Sequence, residues 1–102
     1  MAYFAVTTVH GPEWNDSLPI REQQAWDEHA AFMDALVDDG LVIMGGPVGD
    51  GQQALLVMEA ASAAEIQERF AGDPWVVMNL LRVGLIQPWL IWLDGRQGSR
   101  AS

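Results

Sequence analysis

Two residues of this chain belong to types that move protons and sit in otherwise apolar surroundings: His29, within WDEHAAFMDAL, and Asp73, within AGDPW, 44 positions later. An imidazole changes charge near neutrality, so it can take up and return a proton in one cycle. A carboxylate bonded to its other nitrogen fixes the tautomer and stabilises the imidazolium. Both residues also have plainer explanations. His29 lies between Ala25, Trp26, Phe32 and Met33 on one helical face, where a buried histidine serves packing and a single hydrogen bond. Aspartate followed by proline is a favoured helix N-cap, worth about 1 kcal/mol, with the proline at the first helical position. On residue types alone these structural readings come first. They do not exclude the chemical one, because a carboxylate has two oxygens and can cap a helix while accepting from an imidazole.

The rest of the composition narrows the chemistry. Among 102 residues there are 14 acids, five arginines, no lysine and no cysteine, for a net charge of -9. Schiff-base chemistry, thiol nucleophiles, disulfides and thiolate metal sites are therefore excluded. The negative charge disfavours nucleic acid and anionic lipid as partners. His10 and His29 have no ligand spacing, so no metal is expected, and no cofactor motif stands out. Gly45 to Gly51 is rich in glycine but joins strand to strand without a lysine or a following helix, so it reads as a hairpin turn and not a phosphate cradle. The first residues show no basic segment followed by an apolar stretch and cleavage site, and the apolar runs at 41–48 and 85–93 are interrupted and too short to span a membrane; a cytoplasmic location is expected.

The elements that must position His29 and Asp73 follow from periodicity. YFAVTTV at 3–9 is a strand, and the turn-rich HGPEWNDSLP follows it. Apolar residues at i, i+3 and i+4 predict an amphipathic helix over 21–39, closed by Gly40. Strands at 41–44 and 54–59 flank the turn GGPVGDGQ, and the capping box at Ser62 to Glu65 starts a second helix running to about 71. Asp73 and Pro74 open a helical stretch through 81, and 83–93 is a last strand. The order β-α-β-β-α-β is the α+β, ferredoxin-like arrangement with an antiparallel sheet, here one domain over 1–94 with a flexible tail at 95–102. Both sheet faces are apolar: Leu85, Trp89 and Ile91 alternate with Ile86, Leu90 and Trp92, and Leu55 and Val57 alternate with Leu56 and Met58. Two helices cover one face only, so a homodimer with face-to-face sheets is expected.

WDEHAAFMDAL, then DGLVIMGGPVGDGQQALLVMEA, then GDPW and finally IQPW, in that order over residues 3–93, resemble the YCII-related (YciI-like) family. The resemblance implies a ferredoxin-like fold that dimerises as an α/β barrel. It also implies an active site built from the first-helix histidine and the aspartate of the Asp-Pro pair, which are His29 and Asp73 here. Many members carry an arginine three residues before that histidine. Trp26 occupies this position, so Arg21 or Arg82 would have to serve. The expected activity is that of a cofactor-independent lyase or isomerase acting on a small carbonyl or lactone substrate, with Trp26, Phe32 and Trp75 as substrate-binding walls. The alternative is a dimeric domain that binds a small ligand or supports another enzyme without catalysis. A cofactor-free oxygenase on the same barrel is a third reading.

Overall fold

The structure is a computed structural model, and it describes residues 1–96. Most of the tail expected at 95–102 therefore lies outside the described residues. Strand β1 (Ala2–His10) is followed by a long loop containing a 3₁₀ turn at Ile20–Glu22, then helix α1 (Trp26–Asp38), strands β2 (Val42–Val48) and β3 (Gln53–Ala60), helix α2 (Ala63–Phe70), the single turn α3 (Pro74–Val77) and strand β4 (Leu81–Pro88). The strands form one sheet in the order β2-β3-β1-β4, with every neighbouring pair antiparallel. This is the ferredoxin-like α+β arrangement, and the element order agrees with the one expected.

Helix boundaries differ from the periodicity, and each difference has a local cause. Helix α1 starts five residues later than expected, because Ala25 adopts a left-handed conformation (φ 59°) and breaks the backbone between the 3₁₀ turn and the helix. It ends as expected at Gly40 (φ 82°): the Gly40 N–H donates to Val37 O and the Leu41 N–H to Leu36 O, the Schellman pattern, with Leu36 and Leu41 buried together. The stretch after Asp73 is one turn and does not reach residue 81. Asn79 (φ 61°) closes α3 with the same pair of bonds, Asn79 N–H to Val76 O and Leu80 N–H to Trp75 O. The chain thereby turns early enough for Leu81 to begin β4.

The sheet differs in two further ways. β4 ends at Pro88, and residues 89–93 follow outside the strand, where the longer alternation had been expected. The register of β1 against β4 also shifts between Val6 and Thr8, where the Leu85 N–H donates to Thr7 Oγ1 at 2.9 Å. A Cβ at Gly84 would lie 2.7 Å from that hydroxyl, so the bulge requires glycine. The bulge reverses the inward parity of β4: Leu81 and Val83 face the helices before it, Ile86 does so after it, and Leu85 points away.

The buried side chains form two groups. The larger includes Phe4, Val6, Leu36, Leu56, Met58, Ile66 and Phe70 between the sheet and the helices. The smaller comprises Trp75, Leu80 and Leu81, with Trp14 and Trp26 packed against them. A cavity lies along the seam between these groups.

Candidate active site

Asp73 is fully buried at the N-terminus of α3. Its Oδ1 accepts the Trp75 backbone N–H at 3.0 Å, so it caps the helix as expected. The same carboxylate faces His29 Nδ1, with Oδ1 at 3.0 Å and Oδ2 at 2.9 Å. Cap and imidazole partner are therefore one group, and Oδ1 performs both tasks. A carboxylate only accepts, which assigns the proton to Nδ1 and leaves the Nε2 lone pair of His29 unoccupied by Asp73.

The AGDPW stretch contributes more than the carboxylate. The Trp75 ring stacks on the His29 ring with centroids 3.8 Å apart and planes within 6° of parallel. Its indole N–H donates to Gln24 O at 2.7 Å, tying α3 to the residues that precede α1. His29 is thus held by a carboxylate at Nδ1 and an indole on its face, and the stack leaves it little freedom to rotate.

His29 borders an open cavity of about 280 Å³. Trp26, Trp75 and Met33 line it from the helical side, Thr8, Leu56 and Leu81 from the sheet, and Phe70 from the end of α2. Asp73 does not line it; the aspartate stands behind His29 and can act on a bound molecule only through the imidazole. Of the three residues expected to form the walls, Trp26 and Trp75 border the cavity. Phe32 does not: its ring packs against Phe70 in the larger core group, 6.1 Å between centroids, and Phe70 and Met33 present their surfaces to the cavity.

Three other contributors are absent from the sequence expectations. The Gly45-Gly46-Pro47 segment is strand and not turn, and its nearly bare backbone forms one cavity wall. A Cβ on Gly45 would collide with the Leu56 side chain, so glycine allows β2 and β3 to close there. Trp14 stands edge-on to Trp75, 5.4 Å between centroids. His10, at the end of β1, stacks on Trp14 at 3.7 Å. The alternation of YFAVTTVH carries a usable signal for His10: continued two residues beyond Thr8, it puts His10 on the same face as Phe4 and Val6.

The arginines considered as anion ligands lie elsewhere. The Arg21 guanidinium sits 5.9 Å over the Trp26 ring, and neither Arg21 nor Arg82 lines the cavity. Among the described residues no cluster of three or more histidine, aspartate or glutamate side chains is arranged to hold a metal, and no helix is long and apolar enough to cross a membrane.

A family model described as the YCII-related domain matches residues 4–90. The chain belongs to the YCII-related family. Comparison with the curated proteins gives no match. A solved structure similar to this YCII-related chain is 5-chloro-2-hydroxyhydroquinone dehydrochlorinase (TftG) from Burkholderia phenoliruptrix AC1100 in complex with 2,5-dihydroxybenzoquinone, at 24% identity, TM-score 0.65, and coverage of 86% of this chain and 93% of that one. At that identity the likeness establishes a shared fold.

Proposed function

We propose that this YCII-related protein is a cofactor-independent lyase or isomerase whose His29 moves a proton on a small ring bearing a carbonyl group. The observation that carries the reading is the imidazole at the cavity wall with Nδ1 committed to a fully buried carboxylate. His29 Nε2 takes a proton from carbon next to the carbonyl, the electron pair moves into the ring as an enolate, and Asp73 stabilises the resulting imidazolium. In an isomerisation the proton returns at another carbon. In an elimination the enolate reforms the carbonyl as a substituent departs with the bonding pair, and the imidazolium later releases its proton to solvent. Walls from Trp26 and Trp75 exclude water from these steps. The dehydrochlorinase activity and quinone complex of the similar structure support small oxygenated rings as substrates.

The active molecule is proposed to be a homodimer formed through the sheet face opposite the helices, where Met44, Val48, Leu55 and Leu85 are exposed.

The test is a screen of lactones, cyclic enones and halogenated hydroxyhydroquinones with two variants as controls. His29→Asn lowers kcat by about 10² to 10⁴ while leaving ligand affinity within a few-fold. Asp73→Asn keeps a helix cap, and lowers kcat by about 10² or more by releasing the tautomer. Turnover of a genuine substrate that survives His29→Asn at the wild-type rate would rule the mechanism out, and binding without turnover across the screen would leave a ligand-binding or accessory domain.

A further inference from the structure

His10 is not used by the mechanism above, yet it lines the same cavity as His29. Its Nδ1 is the buried side-chain polar atom that lacks a hydrogen-bond partner among the described residues. That atom is sealed from solvent and is a cost to the free protein, so a molecule in the cavity meets the other side of the ring, where Nε2 lies. The surroundings say what such a molecule can be. The helix-facing side of β1 runs Phe4, Val6, Thr8, with burial continuing through Thr8, and His10 is next in that alternation. The apolar core face of the strand therefore turns polar where it enters the cavity. Between the two imidazoles stand two indoles, in the sequence His10 stacked on Trp14, Trp14 edge-on to Trp75, and Trp75 stacked on His29.

We infer that His10 is a second ligand-binding residue of this site, hydrogen-bonding an oxygen on the far side of a flat ring whose near side is presented to His29. This rests on the cavity being the substrate site proposed above and narrows its substrate class: an uncharged single ring with oxygen substituents at two separated positions. The cavity, about 280 Å³ and walled by indole and phenyl surface, suits one planar ring. No arginine lines it, the chain has no lysine, and Asp16 and Asp50 are the charged groups that act on His10, so an anionic ligand finds no counter-charge. Burial holds the His10 imidazole below its ordinary pKa of 6.5 against the opposing effect of those two carboxylates, which keeps it neutral, with one nitrogen to donate and one to accept.

The probes are hydroquinone, with oxygens across the ring, and phenol, with one, titrated by tryptophan fluorescence. His10→Phe retains a ring against Trp14 and removes both nitrogens. The expected result is about a tenfold loss of hydroquinone affinity with under a twofold change for phenol, one hydrogen bond's worth of selectivity. The same substitution is expected to raise the melting temperature of the free protein by roughly 4 °C or more, because an unsatisfied buried group disappears. His10→Gln, which keeps a donor and an acceptor, recovers part of the hydroquinone affinity, and His10→Ala carries the same comparison if the phenylalanine variant does not fold. Equal losses for both probes, no saturable hydroquinone binding by the wild type, or a fall in melting temperature with the selectivity intact would overturn the assignment. Because binding and not turnover is read, failure here is separable from failure of His29 as the base.

Discussion

At His29 the carboxylate, the indole and the backbone act on one side chain. Asp73 Oδ1 receives both the Trp75 N–H and the imidazole, so the carboxylate that holds the ring is itself held by the helix it starts. A carboxylate so placed costs little reorganisation when the imidazole gains a proton, since its position is already set. His10 offers a separate measurement at this scale. Its folded-state pKa is depressed by burial, so in the pH range just below 6.5 the unfolded chain takes up a proton at this position more readily than the folded one. Its contribution to stability is complete above about 6.5 and is lost as the pH falls through that value toward the lower folded-state pKa. The wild type is therefore expected to lose more melting temperature between pH 7.5 and 5.5 than His10→Phe does. Equal losses would mean that His10 titrates as a solvated histidine.

The elements around the site depend on one glutamine. Gln23 is buried, its amide donates to Asn15 O at 2.7 Å and Leu18 O at 3.0 Å, and its Oε1 accepts from the Asn15 N–H at 3.1 Å. These bonds close the loop between β1 and α1, and that loop carries Trp14 into the cavity wall. Gln23→Ala is expected to destabilise the protein by about 1–3 kcal/mol, through the loop polar groups left unpaired, and to weaken ligand binding severalfold while the far-ultraviolet circular dichroism stays unchanged. Ligand affinity equal to wild type would show that the loop is positioned by other contacts. Such non-local ties explain what could be read from sequence and what could not. Element types and order were legible because apolar periods of two and 3.6 dominate each segment, and both caps around Ser62 and Asp73 have local signatures. The late start of α1 was hidden, because alanine at a left-handed position has no sequence signature and the apolar period runs straight through Ala25. The bulge opposite Thr7 and the end of β4 were hidden too, because Trp89 to Leu93 continue an apolar pattern that the strand does not. At the site, His29 and Asp73 could be nominated from type and spacing. The choice of Phe70 over Phe32 at the wall depends on which side of α1 meets the cavity, and the four consecutive positions after His29, Ala30 to Met33, are apolar or small enough to leave that open.

For the whole molecule the unresolved balance is its apolar surface. The helices cover one side of the sheet, and the other exposes Leu85 at 60% of its area together with Met44, Val48 and Leu55; Trp92 and Leu93 beyond the sheet are exposed as well. A monomer of this size with such a face would be poorly soluble despite its charge. Sedimentation at micromolar concentration is expected to show a dimer, and Leu85→Glu to shift it towards monomer without altering the helical content. A wild-type monomer under those conditions would remove the basis for a sheet-to-sheet interface.

The strand order has a kinetic consequence. β1 lies inside the sheet between β3 and β4, and its residue Phe4 faces Pro88. During synthesis the first strand made must wait, with one edge unpaired, for nearly the last segment of the fold, and contacts so distant along the chain close slowly. The barrier to folding should therefore fall on the β1–β4 closure, which also delivers Leu81 to the cavity. His29 can meet Asp73 earlier, but the chamber it borders is finished only when the final strand docks.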